Sequence, residues 1–481
     1  MANKYLYITL LALLGYQADT RGQEVRFDNV PRLVVGITID HLRSDYLEAF
    51  APLYGNGGLK LLLDGGLVYT NCNQPFTPVD RASAIASIYT GTTPYYNNIS
   101  GVQWFNRETL RTTGCTDDVR YPGLLTSENA APTAISCTTI SDEIKIANSG
   151  QSLIYAIAPH RESAVLSGGH AADMALWYNA EHTNWCTSQY YTKNIPLWLK
   201  NFNHNNTQEK TATRVNTEVT ELAKECLNSL IIGRDEATDM LCITYDAGEA
   251  LTEWQQDAQQ VYTQIDSDIC RLISYVEAKV GAGKTIYFLT GTGVQPEVDT
   301  SMYEQYHIPT GTFYMNRAVN LLNMYLGALW GQGEYVEGAF RNQIYLNHKL
   351  LETRKIDIAD ALTRCQEIVA MMDGVSSVCT SLQLLTATND HLMKMKQGFA
   401  AKHCGDLTVE VAPGWGITNE DTHTSEPATT AATLPFPIIF YGPGIPQQRI
   451  TTPVTADRIA PTVARAIRIR APNGCTSLPL F

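Results

Sequence analysis

The sequence predicts an α/β protein: a doubly wound, mostly parallel sheet flanked by helices, with a smaller α+β subdomain inserted late in the chain. Three observations carry this. Short apolar runs alternate with helix-length amphipathic segments over most of the 481 residues, the pattern of a parallel sheet covered on both faces. Two of the runs, Leu33 to Asp40 and Met240 to Asp246, end in aspartate, which delivers carboxylates to the edge where open α/β sheets bind ligands. From Thr310 to Pro413 the alternation changes character. The expected organisation is residues 1–22 as a signal peptide, 23–309 and 414–481 as the α/β core, and 310–413 as the inserted subdomain.

Leu33, Val34, Val35, Ile37 and Ile39 form the first strand. Asp40 either caps a helix beginning directly after it and running to about Phe50, or points into the crevice as a site residue. Leu59 to Leu63 reads as a helix stopped by Gly65-Gly66, and Val68 to Asn73 as a strand. Pro78 opens a turn into a helix from about Ala82 to Thr90, ended by Gly91. Arg107 to Ile140 is a polar excursion without period. Ser152 to Ala158 and Ala175 to Tyr178 are strands, Gly168-Gly169-His170 is a turn, and Tyr190 to Phe202 leads into a helix. Val219 to Ile232 and Glu253 to Val280 have helical spacing, the latter burying Val261, Ile265, Ile269, Ile273 and Val276 on one face. Thr285 to Gly291 and Phe436 to Gly442 are further core strands, and Asp457 to Ile467 is the last helix. Within the insertion, helices Arg317 to Leu329 and Ile358 to Met372 alternate with strands Asn342 to Asn347 and Ser376 to Cys379.

Composition bounds the function. A net charge of −13 disfavours nucleic acid and anionic membrane surfaces as partners. Lys4, the apolar core Tyr5 to Gly15 and the small residues Ala18 and Gly22 read as a secretory signal too short to span a bilayer. The expected location is therefore periplasmic or extracellular, and no later stretch reads as a transmembrane helix. None of the 11 cysteines lies in a zinc-knot spacing. Cys115 with Cys137, and Cys365 with Cys379, are near enough in sequence to be bridged, with small buried thiols as the alternative. Gly-x-Ser-x-Gly and His-Glu-x-x-His are both absent.

The stretches VVGITIDHLRSDYL (34–47), YGNGGLKLLLDGG (54–66), SIYTGTTP (87–94), HIPTGTFY (307–314), PIIFYGPGI (437–445) and TADRIAPTVARAIRI (455–469) together resemble the alkaline phosphatase superfamily. They look most like the secreted bacterial phosphate-irrepressible type of alkaline phosphatase. That resemblance implies two zinc ions about 4 Å apart clamping the phosphoryl oxygens, Asp and His ligands, and a Ser or Thr nucleophile activated as an alkoxide. It assigns metal-binding roles to Asp40 and Asp246. At the other family positions the residues differ. Arg81 stands where the nucleophile is expected, and Ala250 where a histidine ligand is expected. Thr292 and Gly293 replace an Asp-His pair, Val102 replaces a phosphate-contacting Asn, and His160 and Glu162 replace a Lys and an Arg. His423 is the one candidate for the final histidine ligand, and His170 and His307 read as ordinary polar residues.

Scaffold motifs thus survive while nucleophile, ligands and phosphate contacts go together. Carboxylates without imidazole hold zinc weakly, so no cofactor is expected. The chain reads as an exported pseudoenzyme that binds a protein partner or a glycan, or belongs to an envelope assembly. The alternative is a metal-dependent phosphomonoesterase or phosphodiesterase with a rebuilt site, using zinc, Thr77 or Ser83, and Asp40, Asp80, Asp246 and His423.

Overall fold

β1 (Leu33–Asp40) has all eight residues buried, as expected of a strand with helices on both faces. The computed structural model describes residues 30–206, 211–248, 256–293, 303, 305–421, 423–426 and 434–481. The proposed signal segment and Ala250 therefore lie outside the described residues.

The other core strands are β2 (Leu67–Asn73), β3 (Ile154–Ala158), β4 (Met174–Asn179), β5 (Asn184–Ser188), β6 (Asp239–Asp246), β7 (Thr285–Gly291) and β8 (Phe436–Tyr441). They lie in the order β2-β8-β7-β1-β6-β3-β4-β5 within one large sheet. β1 pairs in parallel with both β6 and β7, whereas β8 runs antiparallel between β7 and β2. The doubly wound, mostly parallel architecture is thus the one the alternation predicted.

Residue parity along β1 decides which layer each side chain meets. Leu33, Val35, Ile37 and Ile39 pack with the apolar stripes of helices Ala212–Ser229 and Gln256–Val280. Val34 faces the other layer, with Ile85 and Tyr89 of α1 (Arg81–Thr90) and Val165 of α2 (Arg161–Gly168). Asp40 shares the parity of Val34, so it points toward the helix starts of that second layer.

Asp40 does not cap a helix. The chain turns through His41 at φ 57°, and the next helix, Ser44–Ala49, has Arg43 at its N-cap. Several elements escaped the sequence reading, among them α2, β5, the helix Ile140–Ala147 and the strands Val336–Phe340 and Leu407–Val411. Each is short, and short segments show little period.

The strands between residues 311 and 426 form sheets apart from the large one. Val336–Phe340, Gln343–Leu346, Leu407–Val411 and Val375–Thr380 make an antiparallel sheet in that order. It shares its own apolar cluster with helices Met315–Trp330 and Ile358–Ala370. Gly311–Tyr314 pairs with Trp415–Asn419, which pairs with Thr424–Glu426. All 11 cysteines are free thiols, so neither sequence-suggested bridge is formed.

Candidate functional site

β1 and β6 are in register so that Asp40 and Asp246 are Cα partners at the carboxyl edge of the sheet. Neighbours in parallel register point the same way, so both carboxylates enter one crevice. β7 ends at Gly291, opposite Ile39, which sets Thr292 beside Asp40.

Every oxygen of these two carboxylates has a donor. Asp40 Oδ1 accepts from Thr292 Oγ1 at 2.6 Å and from the His41 backbone at 3.1 Å. Its Oδ2 accepts from Arg81 Nη1 at 3.1 Å. Asp246 Oδ1 pairs with His41 Nδ1 at 3.0 Å and accepts from Gly248 N at 2.7 Å, and its Oδ2 pairs with His160 Nε2 at 2.8 Å. Asn216 holds the strand end itself, bonding both backbone groups of Asp246.

Arg81 is the first residue of α1. A cation is unfavourable at the positive end of a helix, so helix formation does not explain it. Its partners do: Nη1 meets Asp40 and Nε donates to Glu162 Oε1 at 2.9 Å. The guanidinium fork therefore spans two carboxylates from two different elements. Asp40 is 1% exposed and Arg81 21% exposed. Burial lowers the Arg81 pKa, but the charges of Asp40 and Glu162 outweigh it and hold the group above its usual value. Burial likewise pushes Asp246 up, yet the bonds from His160 and His41 win and keep it well below the usual carboxylate range. His41 is raised: burial opposes its charge, but the Asp246 bond and the Asp40 charge prevail.

The start of α1 is built by a reciprocal cap. Asp80 Oδ1 accepts from Ser83 N, and Ser83 Oγ accepts from Asp80 N, both at 3.0 Å. Ser83 is fully buried in that cap, which removes it as a solvent-facing nucleophile. Asp80 Oδ2 accepts from Val102 N at 2.7 Å and from Arg341 Nη1 at 3.3 Å. The Val102 position thus serves through its backbone. Arg341, which carries no signal in the sequence, ties residues of the small sheets to the cap.

Among the described residues, the group able to offer ligand atoms to one ion is Asp40, His160 and Asp246, whose atoms lie within 4.8 Å of one another. His423 is not in it; that residue is exposed, at φ 53°. The imidazoles of this crevice are instead His160 and His41, so the expectation of carboxylates without imidazole is corrected. Among the described residues, the donor set does not fill the sites of a pair of zinc ions. The oxygens a second ion needs already accept N–H and O–H bonds, and Thr292 and Gly293 supply no carboxylate or imidazole. One ion with three protein ligands fits only if Arg81 leaves Asp40.

Comparison with known proteins identifies the fold and the family. Alkaline phosphatase PafA of Elizabethkingia meningoseptica is 23% identical over 536 residues, 98% of each chain. Alkaline phosphatase PhoV of Synechococcus elongatus is 23% identical over 544 residues, also 98% of each. A protein named calcium-transporting ATPase from Myroides odoratus is 23% identical, covering 94% of each chain. The crystal structure of PafA superimposes with a TM-score of 0.83 at 22% identity, covering 95% of this chain and 99% of that one. The family model for type I phosphodiesterase / nucleotide pyrophosphatase matches residues 34–433. The chain belongs to the type I phosphodiesterase / nucleotide pyrophosphatase family, within the alkaline phosphatase superfamily.

Proposed function

We propose that this protein is an exported, phosphatase-fold binding protein that no longer transfers phosphoryl groups and acts through a protein partner or an envelope assembly. One observation carries the reading. Arg81 occupies the position where the resemblance expects a nucleophile, and it is locked between Asp40 at 3.1 Å and Glu162 at 2.9 Å. A guanidinium cannot be deprotonated to attack phosphorus, and it supplies the cation that the buried Asp40 would otherwise seek in a metal. His160 and Glu162 also turn onto protein charges and away from any bound anion. The hydroxyl nearest Asp40, that of Thr292, is 1% exposed and donates to the carboxylate.

The test is zinc content of protein purified without chelator, together with turnover of an aryl phosphate. Less than stoichiometric zinc and no turnover above an Asp40→Ala control are expected. Arg81→Thr alone is expected to stay inactive, because Thr292 and Gly293 still offer no ligands. Turnover by the wild type that Asp40→Ala abolishes would sink the proposal.

A second reading rests on the convergence of Asp40, His160 and Asp246: a phosphoric ester hydrolase using a single divalent ion with Arg81 displaced. It requires metal binding to weaken on His160→Ala, which the first reading does not.

A further inference from the structure

The chain's last residues fold back along the molecule as a strap. Leu480 N donates to Thr462 Oγ1 at 2.8 Å, and Arg458 donates to the carbonyls of Leu478 and Pro479 at 2.9 and 2.8 Å. The Phe481 ring meets Phe440 of β8 edge-on at 5.2 Å. Where the strap begins, Thr138 N donates to Asn473 Oδ1 at 2.8 Å, and Asn473 N donates to Thr138 Oγ1 at 2.9 Å. This exchange fixes the backbone after Cys137 against the backbone before Cys475.

Glycine at 474 lets the two segments touch. A Cβ there would lie 2.7 Å from Cys137 Cβ and 3.0 Å from Cys137 Sγ, so the Cys137 side chain rests directly on the residue before Cys475. The Cys475 sulfur is 2.9 Å from where a Cβ on Gly91 would be, and the Gly474 position is 3.5 Å from Thr92 Cγ2. The Cys475 thiol therefore borders Gly91 at the carboxyl end of α1, and the Cys137 thiol meets the side chain of Thr90, the last residue of that helix. Cys137 is buried and Cys475 half-buried, and both are free. Burial pushes the Cys137 thiol up to about 12, with a smaller contribution from Cys475 itself.

Cys115 is placed differently. Its backbone N donates to Val102 O, and Val102 N donates to Asp80, the cap at the opposite end of α1. A helix of ten residues separates its ends by about 15 Å, beyond the roughly 7 Å between Cα atoms that a disulfide tolerates.

We propose that Cys137 and Cys475 form a disulfide in an oxidising compartment, stapling the C-terminal strap to the end of α1. The oxidant is a small-molecule or protein disulfide. The more accessible Cys475 loses its proton and attacks one oxidant sulfur, forming a mixed disulfide and releasing one thiolate. Cys137 then loses its proton and attacks the Cys475 sulfur, releasing the second thiolate. The two protons end on the two released thiols, so the oxidant is reduced by two electrons and the protein is oxidised by two.

The test uses the full chain treated with oxidised glutathione, then alkylated under denaturing conditions without reductant and digested for mass mapping. The expected product is one peptide pair joining the segments around 137 and 475, two hydrogens lighter than their sum and split by reductant. Cys475→Ser should abolish it and leave Cys137 open to alkylation. Three results would each overturn the assignment: Cys137 linked to another cysteine, a glutathione adduct persisting on Cys475 without the link, or both residues recovered as thiols.

Discussion

Replacing Arg81 with methionine removes the resident cation of the crevice while keeping an unbranched side chain of similar reach. The Arg81–Asp40 contact at 3.1 Å is worth on the order of 5 kcal/mol in gross Coulomb energy at an effective dielectric of about 20. Desolvating the guanidinium cancels much of that. Deleting one partner of a fully buried pair costs about 3–5 kcal/mol. Here Arg81 is 21% exposed, and Asp40 keeps its donors from Thr292 and His41. A loss of about 2–3 kcal/mol follows, toward the low side of that range because of solvent screening. Urea denaturation at pH 7 measures it, with chelator present so that no metal ion replaces the guanidinium. The midpoint should fall with the slope unchanged. Arg81→Lys should lose less, since it keeps the charge but cannot fork to both Asp40 and Glu162. If Arg81→Met unfolds at the same urea concentration as wild type, the guanidinium is not holding the crevice together.

Two further outcomes are expected. His403 stacks on Trp104 with ring centroids 3.9 Å apart, and burial, aided by Lys402, lowers its pKa from 6.5 to about 4. The unfolded chain then binds the extra proton between those values, so wild-type stability should decline as pH falls from 6.5 toward 4. His403→Gln should lack that part of the slope, and parallel curves from urea midpoints at pH 7 and pH 5 would contradict the assignment. Gly36 lies in β1 where an added Cβ would sit 2.4 Å from Phe288 Cζ. Gly36→Ala should cost about 1–3 kcal/mol by overpacking, read as a lower denaturation midpoint; an unchanged midpoint would show that Phe288 can move aside.

The sequence alone determined the layered sheet, because strand and helix periods report which face is buried. It also determined that Asp40 and Asp246 end core strands, and the resemblance put Arg81, just before a helix, where it expects a hydroxyl. Tertiary structure decided how these residues are used. Glu162 is 81 positions from Arg81, and Asp40 is 41, so no local pattern could announce a guanidinium bridging them. His160 read as a lost phosphate contact and His41 as the start of the helix expected after Asp40; only the register of β1 on β6 brings Asp246 within their reach. His423 matched the expected order along the chain, yet its exposed turn keeps it out of the crevice group. The physical reason is the same in each case. Period and spacing encode burial, whereas a charged side chain takes its direction from the opposite charges that the folded chain brings beside it.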